Sequence, residues 1–287
     1  MLRFCATPYF FTFAGIVLLT EVTIISASQE FTGKQATDGQ FPFVIRLYSK
    51  LKDSTVTYCT ATIVTSIKLL TAGHCCNTRA YRFVVLGDTD QTDFVSSTNK
   101  SKYSVHDVRK VIIHPDFERT ETKLVYDLCL LILGKPLSLK SSQNSIRISY
   151  DKLKEKRNCT ALGWGSNFGY QIQHKLYYKD AIGYRCNLQF GSSPKYWFLC
   201  LEPHSVCPGD SGGPLVCDGM LYGIASFFIG HGDDSNPKCE EGVVDYYTDL
   251  STVRDFIENN SSNRSLKASL LIQVYVVLIH YMRYCSF

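Results

Sequence analysis

The sequence predicts an all-β chain laid out as two strand-rich halves and closed by one terminal helix. Short runs of β-branched and aromatic residues recur with turns between them, and a polar connector near Ser138 to Ser145 separates the two series. A length of 287 residues allows one large or two small packed units.

The first series comprises Phe43 to Tyr48, Tyr58 to Val64, Arg82 to Leu86, Val108 to Ile113 and Leu128 to Leu133. The second comprises Cys159 to Leu162, Leu176 to Ile182, Tyr196 to Leu201, Pro214 to Cys217, Leu221 to Phe228 and Val243 to Thr248. From Ser251 to Asn260, a cap-like Ser/Thr pair precedes Val253, Phe256 and Ile257, a spacing that predicts the terminal helix. No solenoid-period repeat and no low-complexity tract occurs.

The two ends read differently. Met1-Leu2-Arg3 and the apolar run Tyr9 to Thr20 lead to the small residues Ser26-Ala27-Ser28. Residues 1–28 are therefore expected to be a signal peptide, with Gln29 first in the mature chain; an uncleaved anchor is the plainer reading. The folded domain spans 29–262, and 263–287 is a hydrophobic tail. Its apolar run, Ala268 to Tyr281, is short for a membrane span and is interrupted by Gln273 and His280. A signal for a glycosylphosphatidylinositol anchor and a loosely associating tail helix both stay open.

Composition narrows the function classes. A hydrophobic content of 45% with 13% aromatics argues against disorder. The net charge of +4 is small and spread out, and no basic block with interleaved aromatics supports nucleic-acid binding. Twelve cysteines point to an oxidising, extracellular setting. Asn99, Asn158, Asn259, Asn260 and Asn263 are glycosylation acceptors by sequence. The histidines at 106, 114, 174, 204 and 231 lack metal-ligand spacing, so no metal and no cofactor is expected.

Three motifs carry chemistry. Cys207-Pro208-Gly209-Asp210-Ser211-Gly212-Gly213-Pro214 sets a serine in a glycine-framed turn, where amides can converge beside a hydroxyl. Alone it could be a surface turn. Leu70-Thr71-Ala72-Gly73-His74-Cys75 supplies a histidine next to a cysteine able to pin it, and Asp127 heads the apolar run Leu128-Cys129-Leu130-Leu131-Ile132. Singly, His74 reads as structural and Asp127 as a strand-end carboxylate. Together, in the order His74, Asp127, Ser211 and with Gly163-Trp164-Gly165, they resemble the trypsin/chymotrypsin family of serine endopeptidases from about Phe31 to Asn260.

That resemblance implies two antiparallel six-stranded Greek-key barrels, about 31–140 and 155–250, with the site in their cleft and the helix 251–260 behind. It implies that His74 takes the Ser211 proton during attack on a peptide carbonyl, that Asp127 orients the imidazole, and that the N–H groups of Gly209 and Ser211 form the oxyanion hole. It also assigns the disulfides Cys59–Cys75, Cys159–Cys217, Cys186–Cys200 and Cys207–Cys239. Cys5 and Cys285 lie in the end segments, which leaves Cys76 and Cys129 by elimination, either bridged or as two buried thiols.

By the same resemblance Ser205 floors the pocket for the residue before the cut, with Val206, Ser226, Phe227, Phe228 and Asp245 in its walls. Uncharged Ser205 and bulky Phe228 suggest small or medium aliphatic residues there, as in neutrophil elastase. Asp245 is expected to be shielded; facing open space, it would instead attract Lys or Arg. Asp210 should pair with a freed terminal amine, yet Glu30-Phe31-Thr32-Gly33-Lys34 departs from the family's Ile-Val-Gly-Gly and has no Arg or Lys just upstream. The implied partners are protein or peptide substrates and protein inhibitors, with a membrane tether left to the tail; a monomer suffices. Three whole-chain readings follow: a secreted or surface-tethered endopeptidase, a weakly active or inactive homologue that binds or regulates, and a glycoprotein whose barrels are merely structural.

Overall fold

The structure, a computed structural model, describes residues 33–86, 89–95, 103–138, 145–166, 174–203, 206–229 and 244–261. The expected signal peptide, the hydrophobic tail, Ser205, Cys239 and most of the connector lie outside these residues. Among the described residues no helix is long and apolar enough to cross a membrane.

The first half supplies β1 (Lys34–Gln35), β2 (Val44–Lys50), β3 (Val56–Thr65), β4 (Lys68–Thr71), β5 (Tyr81–Leu86), β6 (Ser104–Ile113), β7 (Glu118–Arg119), β8 (Leu124–Val125) and β9 (Cys129–Leu133). The second supplies β10 (Arg157–Gly163), β11 (Tyr177–Gln189), β12 (Lys195–Glu202), β13 (Pro214–Cys217), β14 (Met220–Ile229) and β15 (Val244–Asp249). Strands β2-β3-β4-β9-β6-β5 close one antiparallel barrel. Strands β11-β10-β13-β14-β15-β12 close the other through the β11–β12 pairing, with β1 added along β11. The fold is therefore the paired six-stranded barrel.

Alternation along the strands says which face goes where. Ile45 and Leu47 of β2 point into the first barrel with Leu69, Leu131 and Leu133, while Val44, Arg46 and Tyr48 on the other face are buried too. A strand buried on both faces marks a seam. A second seam joins Leu70 and Leu130 of the first barrel to Leu221 and Ile224 of the second. The terminal helix α1 (Arg254–Ser261) closes it with Phe256 and Ile257, next to Val253 at the helix's entry. Burying each such side chain contributes roughly 1.5–3 kcal/mol. Asp127 stands at the head of β9 beside this seam.

The structure differs from the sequence pattern in three ways. Strands β1, β4, β7 and β8 have two to four residues each, too few for a readable period. Strand β11 runs on to Gln189, seven residues past Ile182, because β12 pairs with it along that polar stretch. The helix begins at Arg254 rather than Ser251: the Asp249 side chain accepts from the Ser251 amide at 2.9 Å, which winds Leu250–Thr252 into a tight 3-10 turn first.

Candidate active site

The loop after β4 makes a single 3-10 turn, Gly73–Cys75, and His74 is at its centre. Disulfides hold it on both sides, Cys59–Cys75 to β3 and Cys76–Cys129 to β9. A Cβ at Gly73 would stand 2.9 Å from the Phe117 ring and 3.1 Å from Asp127 Oδ1, so only glycine lets the loop approach the carboxylate this closely.

Asp127 is fully buried and surrounded by donors. Its Oδ1 accepts from the His74 amide at 2.8 Å, and its Oδ2 from His74 Nδ1 at 2.7 Å and from Ser226 Oγ at 2.6 Å. Its backbone carbonyl accepts from Thr248 Oγ1 at 3.0 Å. A carboxylate that only accepts requires the imidazole proton on Nδ1, which leaves Nε2 as the free base position.

Ser211 follows one tight turn and is the second residue of the next. The Asp210 amide donates to Cys207 O at 3.0 Å with Gly209 at φ +103°, and the Gly213 amide donates to Asp210 O at 2.8 Å with Gly212 at φ +86°. Positive φ at the third position of such a turn calls for glycine and turns the preceding peptide over. The turn is locked onto the first barrel: the Thr60 amide donates to Ser211 O at 2.9 Å, and Thr60 Oγ1 donates to Gly209 O at 3.0 Å. Cys75 Sγ approaches Ser211 O to 3.8 Å, which brings the serine beside the histidine loop. His74 and Asp127 are thus joined directly and Ser211 through its backbone. Among the described residues no hydrogen bond links Ser211 Oγ to the imidazole; such contacts often tighten only when substrate is bound.

Asp210 turns away from Ser211 into the protein. Its carboxylate accepts from the Gly165 amide at 2.7 Å and the Cys207 amide at 2.8 Å. A Cβ on Gly163 or Gly165 would collide with it, which explains both glycines of the Gly-Trp-Gly motif. Gly33 and Asp210 line one small cleft with Leu162, Gly163, Val206 and Tyr247.

Of the expected pocket residues, Val206 is buried in the second barrel's core cluster, and Asp245 is wholly buried, in register with Leu201 and Phe228. Phe227 stacks face to face on Tyr246 at 4.9 Å, with Phe198 edge-on to both, and is followed by half-buried Phe228. Ser226, expected in the pocket wall, directs its hydroxyl to Asp127. Thr60 and Thr248 also hold the site, and the sequence carried no sign of either beyond their being next to Cys59 and Tyr247. Two further disulfides, Cys159–Cys217 and Cys186–Cys200, brace the second barrel. Cys207 is buried, and its expected partner lies outside the described residues. The sulfurs of Cys59 and Cys75 lie within 4.8 Å of a His74 ring nitrogen, but being bonded to each other they offer no thiolate to a metal.

This geometry has known counterparts. Hypodermin-A of Hypoderma lineatum is 26% identical over 278 residues, 92% of this chain and 100% of its own length. Chymotrypsin-like elastase family member 1 of Bos taurus is 27% identical over 221 residues, 72% of this chain and 81% of its own. In fold, the chain resembles neuropsin, a serine protease expressed in the limbic system of mouse brain, with a TM-score of 0.63 at 22% identity over 80% of this chain and 99% of that one. The trypsin family model matches residues 30–257, nearly all of the described barrels. The chain is a member of the trypsin family of serine endopeptidases.

Proposed function

We propose that this chain is an active endopeptidase in which Ser211 is the nucleophile, His74 its general base and then acid, and Asp127 the group that orients the imidazole. The carrying observation is the 2.7 Å bond from His74 Nδ1 to a carboxylate that also takes the His74 amide and Ser226 Oγ. That arrangement leaves Nε2 to accept the Ser211 proton as the hydroxyl adds to the peptide carbonyl. The same proton goes to the leaving amine, and water then repeats the cycle on the acyl-enzyme. The amides of Gly209 and Ser211 stabilise the oxyanion, and the positive φ of Gly209 (+103°), which turns the preceding peptide over, supports that role. Asp210 receives a terminal amine through the cleft it shares with Gly33, three residues past Glu30.

Ser205, Val206, Ser226, Phe227, Phe228 and Asp245 define the pocket before the cut. Buried Val206 and wholly buried Asp245 opposite Phe228 favour a small or medium aliphatic residue there over a basic one. Removal of residues 1–28 and release outside the cell, either free or tethered at the surface through the tail, complete the reading, in keeping with the twelve cysteines.

Labelling by a serine-directed fluorophosphonate tests it. Mature protein should be labelled at Ser211, and Ser211→Ala should remove both label and peptide hydrolysis while the disulfides and melting temperature stay as they were. Folded protein that remains unlabelled sinks the enzyme reading in favour of a binding homologue. Turnover by Ser211→Ala within a few-fold of the parent rejects the nucleophile. A peptide series with Ala, Val, Phe or Lys before the cut tests the pocket; a preference for Lys would mean that Asp245 is open to substrate.

A further inference from the structure

The chain that leaves His74 leads within seven residues to an open pocket whose lining carries charge of one sign only. Lys50, Leu51, Lys52, Arg79, Ala80 and Tyr81 line it, with a volume of about 440 Å³. Lys50, Lys52 and Arg79 are exposed, and among the described residues none of the three forms an ion pair or a side-chain hydrogen bond. Two carboxylates lie close by, Asp53, which accepts from the Thr55 amide at 2.9 Å, and Asp107, which takes the Tyr81 hydroxyl; neutral donors leave both charges in place, so the cations of the cluster outnumber its anions without being free of them.

The walls are built rather than loose. Lys50 stands opposite Tyr81 in the β2–β5 register. The loop carrying Arg79 is folded around Arg82, a buried guanidinium that donates to Cys75 O at 3.2 Å, Thr78 O at 2.8 Å and Ala80 O at 3.3 Å. The Cys76–Cys129 disulfide fixes the start of that loop. Arg82 has only carbonyl and hydroxyl acceptors, so its charge adds to the field of the three exposed cations.

We propose that this pocket binds an acidic stretch of the peptide substrate beyond the cut, an inference that rests on the function proposed above. During cleavage His74 hands its proton to the leaving amine, so the C-terminal part of the substrate must lie against His74. The loop Cys75–Tyr81 is the chain segment that runs on from His74, held at its start by the Cys76–Cys129 disulfide. The exposed cations Lys50, Lys52 and Arg79, with Arg82 behind them, outnumber the two nearby carboxylates, and this positive balance favours carboxylates. Leu51, Ala80 and the Tyr81 ring add apolar contact that a bare polyanion would not use, which favours an acidic peptide with interspersed apolar residues. The device acts on specificity and encounter rate, not on the bond-breaking step.

Binding can be read without catalysis by using the full chain with Ser211→Ala. The probe is a fluorescent peptide of alternating Glu and Leu, compared by anisotropy with a Lys/Leu peptide and a heparin-derived oligosaccharide of similar size. The Glu/Leu peptide should bind and weaken as salt rises, and Arg79→Glu or Lys50→Glu should weaken it by about tenfold or more. Both side chains are exposed and unbonded, so melting temperature should not move; if a reversal fails to fold, Arg79→Ala should lower affinity in the same direction by less. Unchanged affinity in these variants overturns the proposal, as does equal binding of the Lys/Leu peptide, or capture of the oligosaccharide without the peptide. A parent protein inert towards the fluorophosphonate would refute the proposed function while leaving this binding result readable.

Discussion

Asp127 at the head of β9 and Arg46 in β2 are both wholly buried charged side chains, and the protein holds them in opposite ways. Asp127 has a directed donor for each oxygen, from the His74 amide, His74 Nδ1 and Ser226 Oγ. Arg46 Nη1 pairs with His174 Nδ1 at 3.2 Å, and among the described residues its Nε and Nη2 have no hydrogen-bond partner. Around it stand aromatic rings: Tyr58 at 4.4 Å, Tyr48 at 5.4 Å and Trp164 at 5.9 Å from the guanidinium carbon. Hydrogen bonds fix a charge in direction as well as place, whereas ring faces attract a cation with little angular demand. Burial lowers the Arg46 pKa below its ordinary value, and it pushes the Tyr48 hydroxyl up to about 12. The site has orientation; the seam has only occupancy.

The largest effect should come from breaking orientation alone. Asp127→Asn keeps the volume but places an amide N–H where Oδ2 now accepts from His74 Nδ1. The imidazole must then move its proton to Nε2, where the proposed mechanism needs a base, and kcat for peptide hydrolysis should fall by about 10⁴-fold. Disulfides and the melting curve should persist. A loss of less than about tenfold would mean that the bond to His74 does not set the tautomer.

Arg46→Met asks the converse question. Methionine fills the aromatic box with a similar stem and removes a charge together with two unpartnered donors. Stability by denaturant titration should stay within about 2 kcal/mol of the parent or rise, since replacing buried ionic groups by apolar ones is often neutral or stabilising. A loss beyond about 3 kcal/mol would show that the rings bind the cation strongly, and the contrast with Asp127 would narrow.

This contrast also marks what could be read before folding. His74, Asp127 and Ser211 stood out because their glycine and cysteine neighbours answer local demands: Gly73 admits the Asp127 carboxylate, and Gly163 and Gly165 admit that of Asp210. Long strands such as β2 and β14 were visible as runs, whereas β4, four residues ending just before the histidine loop, has no period to detect. Arg46 gave no sign at all, since a lone arginine in an apolar strand reads the same whether its outer face meets solvent or a second barrel. The place of the Ser226 hydroxyl beside Asp127 is hidden for a similar reason. Its bond to Asp127 crosses 99 positions of sequence and exists only when the barrels meet.

The smallest effect tests the support behind Asp127. His114 stacks on Tyr126 at 4.9 Å and packs at a tilt against Phe256 at 4.8 Å, and its Nδ1 accepts from the Asp116 amide at 3.2 Å. Burial lowers its pKa below the ordinary 6.5, and the Asp116 carboxylate, 4.0 Å away, offsets this only in part. As pH falls through 6.5 the unfolded chain therefore takes up the proton before the folded one does. The stabilisation from neutral His114 is complete above 6.5 and is lost as pH falls towards the lowered folded value. His106 and His174 are lowered mainly by burial as well, so they contribute in the same direction. Melting temperature should accordingly drop between pH 7.5 and 5.5, and His114→Phe, which keeps the ring stack, should make that drop shallower without abolishing it. A slope unchanged by His114→Phe would assign the acid sensitivity to the other two histidines and leave Tyr126, the residue leading into Asp127, supported by stacking alone.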